Sequence, residues 1–519
     1  MSINNYSPIL EIQTFAVNGI IQANPNILII GQSTTSNGEK ILIENVKQAE
    51  DLFGADQHIT KALRAGFAFL DWSGNKENKP NIYAYSLPDN IDGSGVTSSV
   101  AITFTACSVS QELNFVIDYA LSGIIEDNIY KVPLIAGDSA TSVATKIASA
   151  INGNLYSSVV AAASLGVLTL TAKNKGIQGN TIKFKIFKLR NITGLVITLG
   201  ANAIAVEGIF LTGGAGTITS QQGTKIVLAM GTQKFNFIVD DYKSSHIRIE
   251  MLRRNNIIQN NNLFGDIIYK YTGNQTVAQV STENADYIVN QDFGVVQPSD
   301  IRRWVSSTIV HGSIQAIMQS LLLVDNSNLS KLAQPDDNKI RSGSSTAFAT
   351  SYEELNYGFF VVSNETSMEY SENELQTLQN VNNYITPCVP RVNNSVLACQ
   401  MIKPSLNTSV VLYQRQENKQ RISMGRDALA RVISVEGKGL TSNITNGSLF
   451  ISFQGLFDDL VKNFIIEDIK QDSTRQDLRE EFATFWNQQL RLVGTVVTIG
   501  VAFSISKDIT KFIIINRIS

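Results

Sequence analysis

Residues 25–31 read PNILIIG and residues 81–89 read NIYAYSLPD, with two helical periodicities between them. Ile27 to Gly31 is a short apolar run bounded by Pro25 and Gly31, the pattern of a buried strand ended by its glycine. In NVKQAEDLF, residues 45–53, Val46, Ala49, Leu52 and Phe53 share one helical face. Gly54 stands where a left-handed C-terminal glycine belongs. Ile59, Leu63, Phe67 and Leu70 follow at spacings of four, four and three, a second helix. Asn81 to Leu87 is a strand closed by Pro88-Asp89. A β-α-α-β opening predicts an α/β layer.

Composition shifts over 90–205, where seven short β-like runs alternate with Gly and Asn: SVAITFTA, LNFVIDYA, IYKVPLIA, VVAAAS, GVLTLTA, NTIKFKIF and GLVITLG. One helix interrupts them, with Asp138 or Ser139 as cap and Val143, Ile147 and Ile151 on one face. From 206 the α/β pattern resumes. Thr219 to Met230 reads as a helix ending at Gly231, Phe235 to Val239 as a strand, Ser244 to Ile258 as a helix and Asp266 to Tyr271 as a strand. Residues 301–322 repeat apolar positions at helical spacing and carry too many polar groups for a membrane span. A further helix runs from Asp472 or Ser473 to about Leu492. After it, VGTVVTIGVAFSI at 493–505 alternates bulky and small residues beyond the usual strand length of roughly 5–6. Leu10 and Ile12 alternate with Glu11 and Gln13, a short strand with nothing before it to pair with.

The expected fold class is therefore multidomain α+β or α/β: mixed sheet layers with helices, an inserted mostly β domain and extended terminal arms. Residues 1–17 form the N-terminal arm, 18–89 and 206–360 a discontinuous α/β domain, 90–205 the β-rich insertion, and 361–519 a C-terminal α+β assembly domain with the terminal strands.

Charged residues are 17% of the 519-residue chain, against about 25% in a typical domain, and the net charge is −3. No long Lys/Arg cluster is present, which argues against a nucleic-acid partner. Three cysteines, Cys107, Cys388 and Cys399, make no disulfide framework. The N-terminus has neither the basic nor the apolar region of a secretory signal.

A search for chemistry finds no catalytic, metal or cofactor site. His58, His246 and His311 are scattered, with no second ligand at metal spacing. LTGGAGT at 211–217 precedes a helix but lacks the Lys-Ser/Thr of a phosphate loop, so it reads as a tight turn. Adjacent carboxylates such as Asp240-Asp241 read as solvated surface.

A series of stretches nevertheless forms a pattern: ANPNILIIGQ (23–32), AEDLFGADQHITKALRAGF (49–67), NIYAYSLPD (81–89), VPLIAGDSATSVATKIASAING (132–153), GVLTLTAKNKGIQGNTIKF (166–184), FLTGGAGT (210–217) and FNFIVDDY (235–242). In order and spacing it resembles the tail sheath proteins of contractile-tailed phages, especially the Mu-like group. That resemblance implies a subunit that polymerises with itself, six-fold and helically, around an inner tail tube protein, bounded by baseplate and tail terminator proteins. It implies no enzyme, no membrane insertion, and a place in a virion tail made in the bacterial host cytoplasm. Terminal arms that add strands to a neighbour would use Leu10, Ile12 and Phe15 at one end and Val497, Ile499, Val501 and Phe503 at the other. Arg475, Arg479 and Arg491 would line a tube-facing helix. The alternatives are the sheath of a bacteriocin or secretion-type contractile system, and a tail-associated receptor- or glycan-binding protein.

Overall fold

A computed structural model describes most of residues 24–250, and beyond them only short pieces at 267–269, 278, 295–297, 309–320, 387–388, 397–398, 491–493 and 496–498. The chain divides into two units, and nearly all described residues belong to the one comprising Asn24–Val324 and Lys331–Gln416. It is a mixed structure of helices and several sheets.

Its first sheet starts from β1, Asn26–Ser33, flanked by the parallel strands β3, Asn81–Pro88, and β12, Phe237–Asp240. Two further parallel strands, β13 (Ile267–Tyr269) and β14 (Val295–Gln297), extend one side. The antiparallel β2, Lys40–Ile43, closes the other. The hydrophobic runs of β1 and β12 are buried throughout, as a parallel sheet covered on both faces requires. On one face α4, Ser220–Met230, packs Ile226, Val227 and Met230 against Leu28, Ile30 and Ile238. On the other lies α2, His58–Ser73, which follows α1, Val46–Phe53.

Gly31 does not end β1, as its sequence position suggests. It lets α2 approach: a methyl there would meet Ile59 Cα at 2.8 Å. Helical residues at 309–320 share this face, with Ile309 beside Gly31 and Ser313 and Ile317 against Gly66. Among the described residues no helix is long and apolar enough to cross a membrane.

The caps follow the sequence. Asn45 and Ser139 accept from backbone N–H groups three residues on, and Thr219 with Gln222 forms a full capping box before α4. Gly54 takes a positive φ of 91° but with ψ 144°, so it is not the left-handed cap expected.

Between β3 and β12 the chain builds two antiparallel four-stranded sheets. One comprises β4 (Thr97–Phe104), β7 (Val159–Ser164), β8 (Val167–Lys175) and β10 (Ile197–Leu199), in the order β10-β4-β8-β7. The other comprises β5 (Gln111–Ile117), β6 (Tyr130–Leu134), β9 (Lys183–Ile186) and β11 (Gly208–Phe210), in the order β11-β9-β5-β6. Both sheets and α3, Ala140–Asn152, share one core of alternating residues, including Ile102, Phe115, Ile147, Leu168 and Phe184.

Two pairs lie far along the chain. Pro387–Cys388 (β15) bridges Leu397–Ala398 (β16). Arg491–Val493 (β17) pairs antiparallel with Val496–Thr498 (β18), Leu492 opposite Val497. The uninterrupted strand expected over 493–505 is thus broken at its start. Arg491 stands opposite Thr498 in a strand, so it is not on the helix expected to reach Leu492.

Candidate functional site

In open parallel sheets ligands enter at the carboxyl ends of the strands, where the strand order reverses. Here the order reverses beside β1: the next parallel strand, β3, lies on one side and β12 on the other. Gln32 and Ser33 end β1, Asp240 ends β12, and Asp241 and Tyr242 form the turn that follows it.

His58, opening α2, enters this crevice. Its Nε2 lies 3.1 Å from Asp241 Oδ2, with side-chain exposures of 6% and 2%. Its Nδ1 lies 3.4 Å from the Gln32 N–H and accepts from it, which places the imidazole proton on Nε2, facing the carboxylate. Tyr242 meets the imidazole edge-on at 6.0 Å. Burial first, then Asp241, Asp240 and Asp89, holds the Tyr242 phenol well above its ordinary pKa, and its hydroxyl has no partner among the described residues. Ser33, the hydroxyl ending β1, donates to Phe53 O and so does not supply a nucleophile for His58.

The crevice is filled by the protein's own chain. The end of β8 brings Lys173, Asn174 and Lys175 into it. Asn174 Oδ1 accepts from the His58 N–H at 3.1 Å, and its Nδ2 donates to Gln57 Oε1 at 3.0 Å and Asp89 Oδ1 at 2.9 Å. The Lys175 N–H donates to Asp89 Oδ1, and Lys175 O accepts from Gln32 Nε2 at 2.6 Å. Lys173 Nζ meets Asp56 Oδ2 at 2.8 Å. Burial pulls Asp56 up, but bonds from Lys173 and Gln57 outweigh it and hold the carboxyl below its ordinary value. Arg64 pairs with Glu50 at 2.8 Å and lies 4.4 Å from the Tyr156 ring centroid, a second tie to the sandwich. The site is a polar joint that fixes the inserted sheets on the parallel layer.

Sequence reasoning missed most of this. Asp240-Asp241, read as solvated, is 2% and 8% exposed. The available signal was position: the pair directly follows an apolar strand on the α/β layer. Of the residues expected to join subunits, Val497 lies in β18. Leu10, Ile12, Phe15, Ile499, Val501 and Phe503, and the helix residues Arg475 and Arg479, lie outside the described residues. The Gly-rich run, expected as a tight turn, is a loop that runs beside the start of β4, bridged at Thr212 to Ser99 and at Ala215 to Val96.

The class of protein that this chain resembles is the tail sheath. The particular relative is a Mu-like prophage tail sheath protein from Haemophilus influenzae, 28% identical over 179 residues. The match spans 33% of this chain and 33% of the relative. The crystal structure of a sheath tail protein from Listeria innocua aligns over 87% of this chain and 88% of that one at 9% identity. Its TM-score of 0.39 is too low for the likeness to bear on the fold. The sequence matches no protein-family model.

Proposed function

We propose that this chain is a non-enzymatic structural subunit of a contractile tail sheath, polymerising helically around an inner tube and contracting to drive it through a bacterial envelope. The observation that carries the reading is the 28% identity to a Mu-like prophage tail sheath protein over 179 residues. The filled crevice supports it: the place where an α/β layer would take a ligand holds Asn174 and its partners instead. In this reading the α/β layer and the β-rich insertion are separate domains, with the insertion on the outer surface of the particle. The N-terminal arm, through Leu10, Ile12 and Phe15, and the C-terminal strands, through Val497, Ile499, Val501 and Phe503, join subunits by strand addition. A heterologous, non-closing contact of that kind propagates a helix. Arg475 and Arg479 then face the inner tube. Deleting residues 1–17 tests the arms: the truncated chain remains folded and no longer forms long tubes. Long tubes from the truncated chain would refute strand exchange through this segment.

A further inference from the structure

The inserted sandwich and the parallel layer have separate cores. The buried cluster holding Ile102, Phe115, Leu168 and Phe184 shares no residue with the one holding Leu28, Ile30, Ile226 and Ile238. Among the described elements, no helix or strand of the sandwich lies along one of the layer. What joins them is polar: the bonds of Lys173, Asn174 and Lys175 at the end of β8, and the Arg64–Tyr156 contact at 4.4 Å. Water can take over such bonds once the groups are exposed, so parting them costs far less than unpacking a core. Bodies joined in this way move against each other unless a large apolar interface holds them.

Two tethers carry the chain between the bodies, and they touch each other. One leaves β3 and passes through residues 92–95; the other returns through Gly216 and Thr217 to Ile218, which belongs to the layer core. The Thr217 N–H donates to Asp92 Oδ2 at 3.1 Å, and a methyl on Gly216 would stand 3.0 Å from Gly95 Cα. Immediately beyond them the sandwich is closed, because the Val96 N–H donates to Ala215 O at 2.9 Å. Bending is therefore confined to a few adjacent residues. Gly93, at φ +81° with open space around it, and Gly216, at φ +109°, supply backbone that other residues rarely adopt. We propose that the tethers are a hinge and the β8 bonds a latch, and that the sandwich swings off the layer as one body with both cores intact. Opening breaks the Asn174 bonds to His58, Gln57 and Asp89 together, so the open form is a minor state of the resting chain. The swing does not depend on the sheath reading; only its use during contraction rests on that reading.

The test uses the full chain carrying Cys388→Ser and Cys399→Ser, with nitroxide labels on two introduced cysteines. One is Leu165→Cys, in the turn before β8; the other is Leu52→Cys, on α1 just before the latch residues Asp56 and Gln57. Both positions are exposed, and Cys107 is buried. Pulsed electron spin resonance reads the distance between the labels. With the latch intact one narrow distance is expected. Asn174→Ala adds a longer one, its share rising by about tenfold or more while the circular dichroism is unchanged. Lys173→Met, at the rim, gives a smaller share of the same longer distance and serves where Asn174→Ala does not fold. A single unchanged distance in both variants, at every urea concentration up to the unfolding midpoint, would overturn the proposal. So would a longer distance that appears only as the circular dichroism is lost, because the bodies then part by unfolding. Tube formation is a separate readout, so a failed swing and a failed sheath reading are told apart.

Discussion

The two ends of the inserted sandwich are built on opposite principles. β4 begins and β8 ends at the parallel layer, where Asn174, Asp89, Gln57 and His58 satisfy one another across the joint. At the other end stand Leu165, before β8, and Val109, Ile135 and Val196, beside the ends of β5, β6 and β10, all exposed. The loops carrying them are tied together by backbone bonds: Thr105 N to Val196 O, Ser108 N to Gly194 O, and Cys107 N to Asp138 O. Leu165 is the extreme case. It is 88% exposed with φ +48°, followed by Gly166 at +82°, in the two-residue turn between β7 and β8. Positive φ at both positions is the geometry for which Asn-Gly is preferred, and leucine is strained there. The anchored end is thus held in a fixed geometry by mutual hydrogen bonds, and the distal end carries exposed apolar side chains and a strained turn.

Removing the central amide of the joint breaks the contrast most severely. Asn174→Ala leaves the His58 N–H, Gln57 Oε1 and Asp89 Oδ1 short of a partner, and should lose about 2–4 kcal/mol by urea unfolding. A loss below about 0.5 kcal/mol would mean that the joint is ornamental.

Next in size is a gain. Leu165→Asn should stabilise the isolated subunit by about 1 kcal/mol, because it relieves the turn without touching the core. Destabilisation would show that Leu165 packs within the subunit after all.

Tyr242→Phe should also gain about 1 kcal/mol, since it deletes a buried hydroxyl without a partner. The pH dependence gives a second readout. The folded phenol titrates above its unfolded value of about 10, so the stabilisation is complete below that pH and is lost as pH rises past it. Alkaline unfolding followed by circular dichroism should show this loss in the parent chain and a smaller one in Tyr242→Phe.

The smallest effect belongs to the rim of the joint. Asp56 titrates below its ordinary value, so its contribution is present above about pH 4 and is lost as pH falls through the lower folded value. Lys173→Met should weaken that acid dependence, leaving the part due to Gln57, and cost about 0.5 kcal/mol at neutral pH, after solvent screening.

Local signals made much of this fold legible. The apolar runs of β1 and β3 and the stripe of Val143, Ile147 and Ile151 each announce their own element. So does the cap at Ser139, whereas the caps at Asn45 and Thr219 were not read from the sequence. Tertiary context was not legible. β2 follows a polar segment and is held as an edge strand by pairing with β3. Gly31 resembles a terminator and is a contact point for α2. At the joint, Asn174 lies 116 residues from His58, and Asp241 lies 183 residues from it. Neither spacing leaves a periodic trace in the sequence. The antiparallel pairing of β17 with β18 shows the reverse failure: the alternation in the sequence runs on from one strand into its partner, because one face carries small residues in both.

The central claim is that the chain assembles with itself into a sheath. Negative-stain electron microscopy of the purified full-length protein tests it most directly. Helical tubes or stacked rings with six-fold end views are the predicted result. A dispersed monomer at every concentration examined, particularly one that binds glycans, would contradict it.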